Sequence, residues 1–105
     1  MPLTRIPETR ASRPITASYN NASASGNTYY TLLDITGSGQ INTLVTSGSD
    51  TIRFTVDGVA YTNLFANGTV QANARFNTSC KIEFGYFASA SLYNLQTAVH
   101  YNLEV

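Results

Sequence analysis

Few side chains in the 105-residue sequence could do acid–base, nucleophilic or metal chemistry: one His, one Cys, three Asp and three Glu. Cys80 alternates with apolar positions in residues 80–84 (CKIEF), and no activating base stands beside it. It is expected to be a buried structural thiol rather than a nucleophile. His100 falls on the polar side of an alternating run, which predicts a surface or interface position. A triad of His100 with a Ser and an Asp is conceivable in composition, but there is no G-x-S-x-G elbow to support it. Asp57 precedes Gly58 and reads as a turn residue, Asp50 opens a strand, and mid-strand Asp34 is expected to face an Arg across strands.

Metal and phosphate chemistry fare no better. A lone Cys excludes a disulfide framework or a multi-Cys zinc site, and a lone His argues against a His-rich one. No D-x-D-x-D-G loop occurs, and Gly37-Ser38-Gly39 lacks the lysine and following helix of a phosphate loop. The expectation is a non-enzymatic chain with no catalytic residue, metal or cofactor. Seven Tyr and no Trp raise the question of sugar stacking. Tyr29 and Tyr30 must point to opposite faces of a strand, yet half-buried sheet positions and subunit contacts account for tyrosine more simply.

The whole composition bounds the partners. Formal net charge is zero and only 11% of residues are charged, against about 25% in an average soluble domain. Bulk polycation behaviour is excluded, so no nucleic-acid partner is expected. The start of the chain (MPLTRIPETRASRPITAS) has no apolar stretch of signal-peptide length, and no run approaches the roughly 20 apolar residues of a spanning helix. Neither a cleaved leader nor a membrane partner is expected, which points to synthesis in a cytoplasm.

Two compositions meet in the chain. Pro2, Pro7 and Pro14 lie in residues 1–18, and every Gly lies between Gly26 and Gly85. Residues 1–18 carry three Arg and one Glu, a net of +2; residues 19–105 carry three basic and five acidic groups, a net of −2. Prolines hold the backbone and their preceding residues extended. Residues 1–18 are therefore expected to form an arm that orders on a neighbouring protein. Its binding residues would be Leu3, Ile6 and Ile15 as apolar anchors and Arg5, Arg10 and Arg13 as cations. Small polar residues 19–27 read as a linker, and 28–105 as the folded domain.

The domain reads as β-strands: 28–36 (TYYTLLDIT), 40–46 (QINTLVT), 50–56 (DTIRFTV), 80–84 and 98–105 (AVHYNLEV). Asp57-Gly58 between alternating runs predicts a type I′ hairpin with Val56 opposite Val59 and Phe54 opposite Tyr61. Asn67-Gly68 predicts a second hairpin, between 64–66 and 69–71. In the final strand Val99, Tyr101 and Leu103 face one way, His100, Asn102 and Glu104 the other. Seven or eight short strands indicate an all-β antiparallel sandwich or jelly roll. Its outward positions are mostly Thr, Ser and Asn, with a single Lys in the chain. Such poorly charged strands favour self-association, hence an assembly component.

The strings TYYTLLDITGSGQI, TIRFTVDG, FNTSCKIEF and AVHYNLE, spread over residues 28–105, resemble those of small structural proteins of tailed-bacteriophage virions, such as capsid decoration, fibre and tail proteins. The resemblance implies a virion location and a homo-oligomer, with a trimer favoured. It implies an N-terminal arm gripping the major capsid protein or another virion protein. A decoration or cement role is the leading expectation; a tail or fibre module binding a host-receptor glycan is the alternative.

Overall fold

A computed structural model describes residues 12–64 and 68–104. Within them the chain is all-β: β1 (Ser12–Ala24), β2 (Tyr29–Thr36), β3 (Gly39–Ser47), β4 (Thr51–Val56), β5 (Val59–Leu64), β6 (Gly68–Phe76), β7 (Ser79–Gly85) and β8 (Tyr93–Glu104). They form two four-stranded sheets ordered β1-β8-β3-β6 and β2-β7-β4-β5, with every ladder antiparallel.

This order is a jelly roll: one long hairpin, wound up. The tip is Asp57-Gly58, with φ of 52° and 87°, the two left-handed residues a type I′ turn requires. Val56 pairs with Val59 and Phe54 with Tyr61, as the sequence predicts. Outward from the tip the register barely changes. Partner numbers total 115 at Val56 and Val59, at Gly39 and Phe76, and at Thr36 and Ser79. They total 116 at Ser12 and Glu104. Bulges within β1, β2 and β3 absorb the small slips.

Alternation then decides the core. Ile41, Leu44, Phe76, Ile82, Phe84, Leu95 and Val99 are fully buried between the sheets. In β8, Leu95, Thr97, Val99 and Tyr101 are buried while Gln96 and His100 are exposed, the faces expected from the sequence. A buried hydroxyl pair, Thr46 Oγ1 and Ser49 Oγ at 2.7 Å, satisfies itself inside.

The structure corrects three boundaries. Residues 12–24, divided by the sequence reading between arm and linker, form β1 and pair along their length with β8. The alternation of Ile15, Ala17 and Tyr19 on the inner side is hard to read because Pro14 precedes it and small polar residues surround it. Asn67-Gly68 does not join a hairpin: β5 pairs with β4 and β6 with β3, in different sheets, with residues 65–67 outside those described. An Asn-Gly pair makes a hairpin only if its flanking runs bond to each other, and here each run has another partner. Finally, β8 begins at Tyr93, not 98.

Gly39 shows how tightly the winding closes. A Cβ there would fall on the Asn102 carbonyl oxygen and 2.9 Å from the Phe76 ring. Gly39→Ala is expected to lower stability by about 2–3 kcal/mol, read as a drop in the urea midpoint with unchanged far-UV circular dichroism.

Candidate functional site

Several of the residues able to do chemistry bond to the chain's own strands and turns. Cys80 is 1% exposed, and burial pushes its thiol up to about 11, so it stays a neutral thiol near pH 7. His100 stands on the outer face of the β1-β8-β3-β6 sheet, its register neighbours being Thr16 and Thr43. Its Nδ1 hydrogen-bonds the Thr16 hydroxyl at 2.8 Å. Asp34 belongs to the other sheet, and Asp50 and Asp57 sit at opposite ends of β4, so no His–Asp–Ser constellation assembles around His100. Asp34 faces Lys81 across the ladder, not the Arg expected. Among the described residues no group of three His, Cys, Asp or Glu is placed to hold a metal.

Asp57 and Asp50 tie the two ends of the sandwich. The Asp57 carboxylate accepts the backbone N–H groups of Asn77, Thr78 and Ser79 and the Thr78 hydroxyl, at 2.7–3.2 Å. The tip of the hairpin is thereby pinned to the β6–β7 turn. These donors, that of Thr78 first, lower its pKa to about 2. Asp50 accepts from the Phe87 and Ala88 N–H groups at 2.9 and 3.1 Å and so fixes the β7–β8 loop.

Between them, Arg53 makes a bidentate pair with Glu83 (2.8 and 2.9 Å) and lies over the Tyr29 ring at 3.8 Å. The hydrogen bonds from Arg53 hold the Glu83 carboxyl below its ordinary range, although its burial pushes the other way.

The tyrosines pack on one another. Tyr19 stacks on Tyr30 (5.9 Å), and tilted pairs form between Tyr86 and Tyr93 (5.4 Å) and between Tyr29 and Phe87 (4.8 Å). Tyr29 and Tyr30 do point to opposite faces, but neither ring is fully exposed. The Tyr93 hydroxyl is buried without a hydrogen-bond partner.

Two surfaces remain. The first is the outer face of the β1-β8-β3-β6 sheet. In register across it run Ser18, Ala98, Val45 and Thr69. A shallow depression of about 320 Å³ is lined there by Ser18, Asn20, Val45, Ser47, Gln96 and Ala98 among others. Charge enters only toward one end, where Arg75 and Glu104 pair at 2.8 Å. The opposite sheet carries Asp34, Arg53, Lys81 and Glu83. The second surface is an apolar cleft of about 440 Å³ between β4 and β5 on one sheet and β6 on the other. Phe54, Val56, Tyr61, Val70, Ala72 and Ala74 line it together with Gln71 and Arg75.

Of the arm residues expected to bind a partner, Leu3, Arg5, Ile6 and Arg10 lie outside the described residues. Arg13 is exposed at the start of β1. Ile15 is half-buried, packing against the chain's own core. Sequence reasoning missed both surfaces. The neutral face could be found only once β1, β8, β3 and β6 were known to be neighbours.

Comparison with protein-family models, curated proteins and solved structures gives no match. What the fold defines is therefore a class: an eight-stranded antiparallel jelly roll, with Asp50, Asp57, Arg53 and Glu83 bonded to its own strands and turns.

Two outcomes follow from the ties. Asp57 has a folded pKa of about 2 against 3.8 unperturbed, so its contribution is present above about pH 4 and lost as pH falls toward 2. Asp57→Asn is expected to lower the urea midpoint at pH 6 and to flatten its decline between pH 4 and 2. Arg53→Ala strands the buried Glu83 carboxylate and is expected to cost about 3 kcal/mol; Arg53→Met with Glu83→Leu is expected to recover most of it, in the same urea titrations.

Proposed function

We propose that the chain is a non-enzymatic structural protein of a virus particle, a decoration (cement) protein that binds the assembled shell of a tailed bacteriophage. The observation that supports this most is the outer face of the β1-β8-β3-β6 sheet, some four strands wide, where charge is confined to the Arg75–Glu104 pair toward one end. Such a face offers hydroxyl and amide groups and small apolar side chains to a protein surface at little desolvation cost. It offers no focused charge for nucleic acid. Binding only the assembled shell stabilises that shell by mass action. The residues preceding Ser12 would supply the second contact, with Leu3 and Ile6 as anchors and Arg5 and Arg10 pairing with acidic or carbonyl groups of the shell protein. The tyrosine rings, largely spent on one another, give the glycan-binding alternative less support.

The test is co-sedimentation of the full chain with emptied phage heads of the particle that carries it, against unassembled capsid protein. Binding to heads alone, with heads rupturing at a temperature several degrees higher, is the expected result. Deleting residues 1–11, which spares β1, is expected to leave the thermal melt unchanged and to weaken head binding by at least about tenfold. Full-length chain that stays in the supernatant overturns the reading.

A further inference from the structure

Four strands lie at sheet edges: β1, β2, β5 and β6. Three carry the features that keep edges from pairing. β1 has Arg13, Pro14 and a bulge between Asn21 and Ala24; β2 has exposed Asp34 and a bulge between Thr31 and Leu33; β6 has Arg75 and lies opposite the irregularity at Ile41/Thr43. β5 (VAYTNL) has no charge and no proline, and it holds unbroken register with β4 over all six residues. Its side chains are also uncovered: Val59 is 52% and Tyr61 57% exposed, although both share the inner face with Val56 and Phe54. They hang over the mouth of the apolar cleft because Ala72 and Ala74 of β6 are too small to reach them.

The backbone of β5 is poised in the same way. The two-residue turn makes Val56–Val59 a hydrogen-bonded pair, so Val59 and Tyr61 direct N–H and C=O toward β4. Ala60 and Thr62 direct theirs away from the sheet.

We infer that β5 is a homodimer interface, pairing antiparallel with β5 of a second copy to make one continuous eight-stranded sheet. The occupant is a second copy because the edge complements itself. Ala60 of one chain meets Thr62 of the partner and the reverse, which sets Tyr61 opposite the partner's Tyr61 across a two-fold axis. The two rings then cover both cleft mouths with apolar surface, and no like charges meet. An antiparallel strand paired with itself is two-fold by construction, so this contact gives a dimer and not the trimer that the resemblance to phage proteins implies. The contact goes beyond shell binding and does not depend on it: failure to sediment with heads leaves it standing.

Light scattering over a dilution series tests it on the full chain. Wild type is expected at twice the chain mass. Thr62→Pro removes an outward N–H without touching the β4 ladder, and Tyr61→Lys sets two cations face to face. Each is expected to raise the dimer dissociation constant by about 100-fold or more, with far-UV circular dichroism unchanged. Tyr61→Cys is expected to form a disulfide-linked dimer on mild oxidation, Cys80 being buried and unreactive. A wild-type monomer or trimer, a dimer that survives either substitution, or a Tyr61→Cys chain that does not cross-link overturns the proposal. Because Tyr61 is exposed, the Tyr61→Lys arm remains readable even if Thr62→Pro disturbs folding.

Discussion

The Asp57-Gly58 turn is the constraint from which the other pairings descend. A two-residue type I′ turn admits one register, and that register persists through β4–β5, β3–β6 and β2–β7 with a slip of a single residue at each bulge. The chain is thus a single ribbon of about ninety residues folded at its middle and rolled so that successive segments alternate between sheets. Rolling leaves turns at both ends whose backbone N–H groups have no strand partner. Asp57 serves those at 77–79, and Asp50 serves those at 87–88. The carboxylate at the tip therefore fixes the first bond of the ribbon and also the place where the ribbon returns beneath it.

Charge follows from the same winding. β4 lies beside β7, which brings Arg53 against Glu83, and β2 on the other flank of β7 brings Asp34 opposite Lys81. These charges share one outer face. β1, β8 and β3 contribute Thr16, His100, Thr43, Ser18, Ala98 and Val45 to the other. A chain with so few charges could have scattered them evenly; the topology gathers four of them on one outer face and leaves the other with the Arg75–Glu104 pair toward one end. A broad, weakly charged surface arises here without any residue that is unusual in the linear sequence.

How much of this the sequence shows depends on distance along the chain. The tip hairpin, the inward set in β8 and the inert character of Cys80 rest on local alternation and turn chemistry, and they are legible. β1 is not, because Ser12–Ala24 has small and polar residues on both sides and earns its place by bonding to β8 some eighty residues away. The supposed hairpin at Asn67-Gly68 shows the opposite error: a strong local turn signal whose flanking runs were already committed to β4 and β3. A usable signal was nonetheless present. Extending the register of the 57–58 turn outward pairs 29–36 with 79–85 directly, and those runs are among the most β-like in the chain. Beyond that, which strands become lateral neighbours, and hence which residues share a face or line the cleft, is decided by how the ribbon rolls.

The rolled ribbon closes unevenly. On the β1–β2 side Tyr19 stacks on Tyr30 across the gap between the sheets and seals it. On the β5–β6 side, alanines face a valine and two aromatics, and the sheets do not meet well enough to bury Tyr61. A monomer keeps apolar surface in water there, at a cost of about 25 cal/mol for each Å² that a partner could cover. Filling the gap from within would require larger side chains at Ala72 and Ala74. Their smallness preserves a recess with a strand edge beside it, and recess and edge together are the surface that the proposed β5 pairing would cover.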